Sequence, residues 1–333
     1  MKYDVVIPVA GKDIGFISKV VKYIRQCFND ADVVYIITSV RYIDKLVNLL
    51  KRYERCIVLD ENTLIPGLTF DKLTKLLRLH KEGLSTGWFF QQFLKLGFAK
   101  TKYAGEYYLT WDADTLPLSH IEFFDGNHPY FTRKYEYNEN YFFTIERILG
   151  MQKKTNFSFI AEHMMFNSRI VKQMLGEIEG APVDGDSWYE KIINAGNYES
   201  VLPTFSEFET YGTYVMYNYP DFYHIRQLNT FRCGGYIQGY NITDAKLQEI
   251  SFDTDTISFE IRHEPLFPYN LFNKIVLLKM KIAKAKNRSL MGNLEKVVKL
   301  IKNKCWGNKS QEEYLEKNRH CPKFCVNGNR IQL

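Results

Sequence analysis

The sequence predicts an α/β fold built on a mostly parallel sheet flanked by helices. Three observations carry that prediction. Unbroken apolar runs recur as "YDVVIPV" (3–9), "DVVYIIT" (32–38), "CIVLDEN" (56–62) and "EYYLTWDAD" (106–114), the pattern of strands buried on both faces. Stretches with apolar residues at helical spacing separate them. Charged residues, Lys12-Asp13, Asp60-Glu61 and Asp112/Asp114, stand where three of the runs end, at the strand edge where parallel sheets gather their ligands.

The elements follow in order. After the first strand and its "AGKD" loop, the spacing predicts a helix from Ile14 to Phe28, and "VRYIDKLVNLLKRY" a second one after the next strand. "FDKLTKLLRLHK" and "GWFFQQFLKLGFAK" (87–100) read as two more helices before the fourth strand. Beyond about residue 120 the pattern changes. "YFTRKYEYNENYFFTI" is aromatic and polar, "FSFIAEHMMFNSRIV" reads as a strand running into a helix, and "SWYEKIINAG" as a short helix. "SEFETYGTYVMYNYP" opens with Ser206 and Glu209 at capping-box spacing and must stop at Pro220. From Leu271 on, Lys-rich helical patterns dominate.

With 333 residues, 45% hydrophobic and 25% charged, the chain has a globular composition able to bury a full core, which sets aside disordered and collagen-like classes. "MKYDVVIPV" passes straight into a strand, without the regions of a signal peptide. The longest membrane candidate, "IVLLKMKIAKAK" (275–286), is broken by lysines. The expectation is a cytoplasmic protein, peripheral at the inner face of the cytoplasmic membrane. The six cysteines are scattered, as suits a reducing compartment. The net charge of +6 hides an asymmetry: residues 271–333 hold 15 Lys/Arg against 4 Asp/Glu, net +11, leaving 29 against 34, net −5, in 1–270. Over 274–304 the basic residues interleave with apolar ones, which suits a helix lying on an anionic membrane surface. The cluster Cys305, His320, Cys321 and Cys325 does not have the spacing of a usual zinc knuckle.

The best chemical signal is Asp112-Ala113-Asp114. Two carboxylates at i and i+2, as a chain leaves a strand, suit a hard divalent cation, Mn²⁺ or Mg²⁺, able to neutralise a diphosphate leaving group. The bland alternative is a turn cap. Position argues against it, because a charged pair after "YYLTW" is costly to desolvate without a partner.

A strand opening "VVIPVAGKD", two further βα units, a helix bearing "GWFFQQ" and then "YLTWDAD" resemble the nucleotide-sugar-binding half of GT-A fold glycosyltransferases, especially bacterial enzymes of capsule and lipopolysaccharide synthesis. The resemblance runs over about residues 1–265. It implies a GT-A-like (Rossmann-like) architecture with a nucleotide-sugar-binding half (1–118), an acceptor-binding half (119–270) and, outside the resemblance, a basic helical extension (271–333). It implies transfer of a sugar from a nucleotide-sugar donor, expected to be a UDP-sugar, to a hydroxyl of a glycan or lipid-linked glycan, with inversion. Residue by residue, it places Pro8, Ala10, Gly11, Lys12 and Asp13 at the nucleoside, and Asp112 and Asp114 on the metal and the donor phosphates. The family's usual acid after the second strand is absent; Thr38 and Ser39 stand there, and Asp60 is expected to serve instead.

Inversion needs a base for the acceptor hydroxyl. Glu207 and Glu209 are the candidates, with Glu207 preferred because Glu209 fits the capping box. Glu162 and His163 are candidates for acceptor contact, alternation allowing one of them to face the cleft. Trp188 could stack on an acceptor sugar, and Gln91 and Gln92 could bond donor hydroxyls. The resemblance also implies a later histidine as a further metal ligand, for which His224, or else His263, is the candidate. For each the bland reading is a core or surface role. Two other classes compete: a nucleic-acid- or membrane-binding module working through the basic tail, and a nucleotidyltransferase acting on sugar phosphates. The tail lacks a nucleic-acid-reading motif, and "AGKDIG" is a faint match to a triphosphate-gripping loop.

Overall fold

The computed structural model describes residues 1–199, 203–237 and 242–260, with a few isolated positions besides. The chain divides into two compact units, Met1–Leu266 and Phe267–Leu333. The Cys305/His320/Cys321/Cys325 cluster and nearly all of the basic extension lie outside the described residues. Among the described residues no helix is long and apolar enough to cross a membrane.

The first unit begins β1 (Tyr3–Pro8), α1 (Ile17–Cys27), β2 (Ala31–Thr38), α2 (Ile43–Leu50), β3 (Cys56–Asp60), α3 (Phe70–His80), α4 (Thr86–Gly97) and β4 (Tyr107–Trp111). It continues with β5 (Thr115–Pro117), β6 (Phe124–Asp125), β7 (His128–Thr132), α5 (Glu139–Leu149), β8 (His163–Asn167), α6 (Ser168–Glu179) and α7 (Trp188–Ala195). Last come α8 (Glu207–Asn218), β9 (His224–Arg226), β10 (Thr230–Phe231), α9 (Gly234–Ile237), α10 (Asp244–Ile250) and β11 (Thr256–Ser258).

The apolar runs form the expected sheet, in the order β3-β2-β1-β4-β8. The first four strands are parallel and β8 is antiparallel to β4. Val5, Val6, Ile7, Val34, Ile36, Ile37 and Leu109 are fully buried, because crossover helices cover both faces. In α1 the covering stripe is Ile17, Val20, Val21 and Ile24, at i, i+3, i+4 and i+7. β3 departs from the expectation: it is the sheet edge, and Ile57 is exposed. The high aromatic content fills one side of the core. Tyr35, Phe98, Tyr108, Phe166 and Tyr211 follow one another with ring centroids 4.6 to 5.3 Å apart.

Helix limits follow local chemistry. Side chains of Thr69, Ser85, Asn138, Asn167 and Ser206 accept hydrogen bonds from the first turns of α3, α4, α5, α6 and α8. The aromatic stretch after residue 130 splits at one of these caps, Asn138, into the end of β7 and the start of α5. α5 stops at Gly150, whose φ of 66° is left-handed. α8 ends at Asn218, before Pro220.

Two small three-stranded sheets, β10-β11-β5 and β6-β7-β9, complete the unit. β11 runs antiparallel to β5, pairing Ser258 with Thr115. It therefore carries the following residues back to the end of β4: the Phe259 N–H donates to the Asp114 carbonyl at 2.8 Å.

Candidate active site

β1 and β4 are neighbours, Val6 pairing with Thr110, so the loops after them leave the same sheet edge. β4 ends at Trp111, and the chain turns at once: the Asp112 N–H donates to the Glu162 carbonyl at 3.0 Å and the Thr115 N–H to the Asp112 carbonyl at 3.1 Å. Thr115 is anchored from the other side, its hydroxyl 2.8 Å from that of Ser258. Held this way, Asp112 and Asp114 stay at the rim rather than in open solvent. Asp114 is pushed up to about 7, first by burial, then by the carboxylates of Asp112 and Asp13, with Glu260 adding and Lys12 opposing. Asp13 of the β1 loop, Asp112 of the β4 end and Glu260 after β11 are thus all within electrostatic reach of Asp114.

A lysine that the sequence reading passed over closes this place from below. Lys95 on α4, 3% exposed, puts its ammonium 2.8 Å from Asp112 Oδ1 and 2.9 Å from Glu207 Oε1, with the Phe208 ring centroid at 4.5 Å. Burial by itself would depress the lysine, but the two carboxylates outweigh it and hold it above the ordinary range. The same helix fixes α8: Gln92 Oε1 accepts the Glu207 N–H at 3.0 Å, while its Nε2 donates to the Trp88 carbonyl.

These contacts change the roles expected of the two glutamates. Glu207 is at the site, but it is buried and its carboxylate is the partner of Lys95. Burial pushes it up and Lys95 opposes. Ser206 caps the Glu209 N–H as the spacing predicts. The Glu209 carboxylate turns instead to the Ser158 hydroxyl and the Phe159 N–H, with Lys153 at 3.7 Å. Neither presents a solvent-facing base.

Glu162 and His163 part as alternation requires. His163 pairs with Trp111 across the strands and stacks on its ring at 5.0 Å, with Nε2 3.0 Å from the Thr132 hydroxyl. Burial, reinforced by Arg226 and Lys134, holds it well below the ordinary histidine range, and its ring is packed in the core. Glu162 is buried toward the site, with Arg232 Nε at 3.3 Å and Lys134 Nζ at 3.8 Å. Burial raises its carboxyl and these cations oppose. Both cations come from chain that the small sheets return to the β4 end.

Trp188 is placed away from solvent. It is 3% exposed, edge-on to Phe93 at 5.4 Å and to Tyr189, and so belongs to the core. His224 is also placed elsewhere: it bonds Asp125 at 3.1 Å and stacks on His128 at 4.5 Å. The adjoining Phe124 packs on Tyr3 and Tyr107, which begin β1 and β4, so His224 lies at the opposite edge of the sheet from Asp112. His263 is nearer, its N–H donating to the Glu260 carbonyl at 3.0 Å. Among the described residues no group of three or more His, Cys, Asp and Glu is arranged to hold a metal ion.

In the loop expected to meet a nucleoside, Pro8 is buried at the end of β1 while Ala10, Gly11 and Lys12 are exposed. Gly11 faces Tyr42 so closely that a Cβ would lie 2.5 Å from its hydroxyl. Thr38, standing where an acid was expected, is buried and donates its hydroxyl to the Val9 carbonyl at 2.9 Å, so it braces this loop. Asp60 caps its own turn through the Asn62 N–H. Beside it Glu61 is pushed up to about 6 by burial and by Asp60, with Arg41 opposing. Gln91 is half-buried on α4, where its neighbour Gln92 makes the structural bonds.

A family model described as a family of unknown function, DUF6492, matches residues 1–234. Among curated proteins none matches the sequence. Solved structures that superpose on the chain include the WbbM bifunctional glycosyltransferase in its apo form, at 13% identity and TM-score 0.41, over 79% of this chain and 46% of that one. The chain thus spans less than half the length of that protein. Mouse xyloside xylosyltransferase 1 superposes at 12% identity and TM-score 0.43, over 80% of this chain and 99% of its own. The galactosyltransferase LgtC, in complex with donor and acceptor sugar analogs, gives 10% identity and TM-score 0.38, over 81% and 94%. At scores this low the superpositions carry no argument, and the site has to speak for itself.

Proposed function

The chain belongs to that family of unknown function, and from its own residues we propose that it is a glycosyltransferase moving a sugar from a nucleotide-sugar donor to a hydroxyl of a glycan acceptor. The observation that carries the reading is the half-buried pair Asp112/Asp114 at the β4 end, its charge uncompensated enough that Asp114 is pushed up to about 7. A carboxylate in that state gains from a cation. The donors are hard oxygens, which fits Mg²⁺ or Mn²⁺. With two carboxylates from the protein, the other coordination positions fall to water and phosphate oxygens, the usual way such ions sit at nucleotide sites. When bound, the ion supplies charge neutralisation for a diphosphate leaving group.

The chain's own groups then divide the work. The exposed Ala10–Gly11–Lys12 loop, braced by Thr38 and Tyr42, lies where the nucleoside and phosphates of a donor would pass. Lys12 already acts electrostatically on Asp114. Glu162, with Lys134 and Arg232, lines the side toward β8, where an acceptor would approach. A lipid-linked acceptor, a UDP-sugar donor and a cytoplasmic site at a membrane face belong to the same proposal; their support is the motif order in the sequence.

The test is to incubate the protein with a panel of nucleotide sugars, with and without Mn²⁺, and to follow release of the nucleoside diphosphate. Asp114→Asn should lower turnover about 10³-fold, the size of a loss of several kcal/mol of transition-state stabilisation, while the fold survives. Wild-type turnover in that variant, or no turnover by the wild type with any donor, overturns the reading.

A further inference from the structure

We propose that Lys95 is the positioning residue of this centre: it ties Asp112 of the β4 end to Glu207 of α8 and so fixes which Asp112 oxygen faces the donor site. The inference rests on the reading of the Asp112/Asp114 pair given above.

The geometry leaves Lys95 no other task. A lysine is rarely buried without partners, and this one is 3% exposed in a helix whose neighbouring positions Phe93, Leu94 and Leu96 are core. Its ammonium meets Asp112 Oδ1 at 2.8 Å, Glu207 Oε1 at 2.9 Å and the Phe208 ring at 4.5 Å. The two carboxylates differ in kind. Glu207 is 6% exposed in its side chain, so it serves the interior, whereas Asp112 is 34% exposed, so one carboxylate oxygen is pinned while the group still reaches the cleft.

The main chain is tied at the same point. The Tyr108 hydroxyl donates to the Lys95 carbonyl at 2.9 Å, so α4 is locked to β4 three residues before Trp111. α8 is locked to α4 through Gln92 and the Glu207 N–H. Three elements, α4, β4 and α8, converge on one ammonium whose donors are directed at fixed oxygens. A group that must present one oxygen to a cation within a few tenths of an ångström needs this kind of support.

Deleting the lysine by itself leaves Glu207 buried and unpaired, so the deciding variant removes both charges. Lys95→Met/Glu207→Gln should fold, with a melting temperature near that of the wild type. It should bind Mn²⁺ in the presence of a nucleoside diphosphate at least about tenfold more weakly by electron paramagnetic resonance, with kcat falling more than KM rises. Glu207→Gln by itself should show a smaller loss, because Lys95 keeps its hold on Asp112. A folded double variant with wild-type Mn²⁺ affinity overturns the proposal.

The wild type supplies a readout that needs no such variant. The buried Lys95 ammonium should give a slowly exchanging ¹H–¹⁵N signal, shifted in Asp112→Asn and broadened by bound Mn²⁺. A signal indifferent to both overturns the positioning role. Failure of the glycosyltransferase reading looks different: the wild type itself binds no Mn²⁺ with nucleoside diphosphate, while the Lys95 signal still responds to Asp112→Asn.

Discussion

Replacing Asp114 by Asn should make the protein more stable at alkaline pH while stopping its chemistry. Asn keeps the shape of the side chain and removes the charge that burial opposes. In the folded protein burial and the neighbouring carboxylates push Asp114 up to about 7, from the ordinary aspartate value of 3.8. Below about pH 4 the group is protonated in both folded and unfolded chains and contributes nothing. Between about pH 4 and 7 the folded chain holds a proton that the unfolded chain has lost, so stability falls as pH rises through this window. Above about pH 7 the full cost is present. The rise from 3.8 to about 7 sets a ceiling of about 4 kcal/mol. Since Asp114 is half-buried and partly in contact with water, we expect about 2 kcal/mol. Urea unfolding of both proteins at about pH 8.5 and pH 4 measures it, taking midpoint times slope at each pH. Asp114→Asn should be the more stable at the higher pH, with the gap closing at the lower one. A variant equal to or weaker than the wild type at about pH 8.5 would refute the claim that Asp114 sits in a charge-excluding, cation-seeking place.

Four further outcomes follow from the same geometry. Mn²⁺ with a nucleoside diphosphate, at about 100-fold over its dissociation constant, should stabilise the wild type by about 2.7 kcal/mol in a thermal scan and leave Asp114→Asn unmoved. Trp188→Ala should cost about 3–5 kcal/mol in chemical denaturation, because it empties a packed site beside Phe93, whereas an acceptor-stacking Trp would cost little stability. His163→Phe should keep donor turnover within about threefold and cost about 1 kcal/mol for the lost Thr132 contact; a hundredfold fall in kcat would restore a catalytic role. His224→Ala should leave Mn²⁺ affinity unchanged in a titration, since its partners are Asp125 and His128.

The large sheet was readable because its information is local. Val/Ile-rich runs without turn residues, each followed by a helical stripe and a cap, state their own structure, and β1 to β4 lie where those runs stand. β5, β10 and β11 span two or three residues each and exist through pairing with one another, Thr115 with Ser258 and Thr230 with Thr256. No period can develop over so short a length, so these strands were invisible, and with them the return of Glu260 and Arg232 to the β4 end. The packing of Trp188 and His163 was unreadable for a related reason. Each is an ordinary residue for a sugar site, and only knowledge of what lies across the strand or the neighbouring helix shows that its ring is already occupied.

Lys95 marks the limit in the site itself. In "FFQQFLKLGF" it reads as one polar position in a helix, yet its partners are 17 and 112 residues away in the chain. A warning sign was there, because Leu94 and Leu96 flank it and α4 is apolar on nearly every side; a charge on such a helix needs a partner. The partner it found explains why the acid pair persists. Asp114 feels the carboxylates of Asp112, Asp13 and Glu260, and folding would be easier with fewer of them. Lys95 steadies Asp112 and leaves Asp114 strained, which is the opposite of what a structural ion-pair network would select. Such a network would have placed a cation against Asp114 as well. That charge is left poorly compensated, and this is the feature on which the proposed metal-assisted transfer rests.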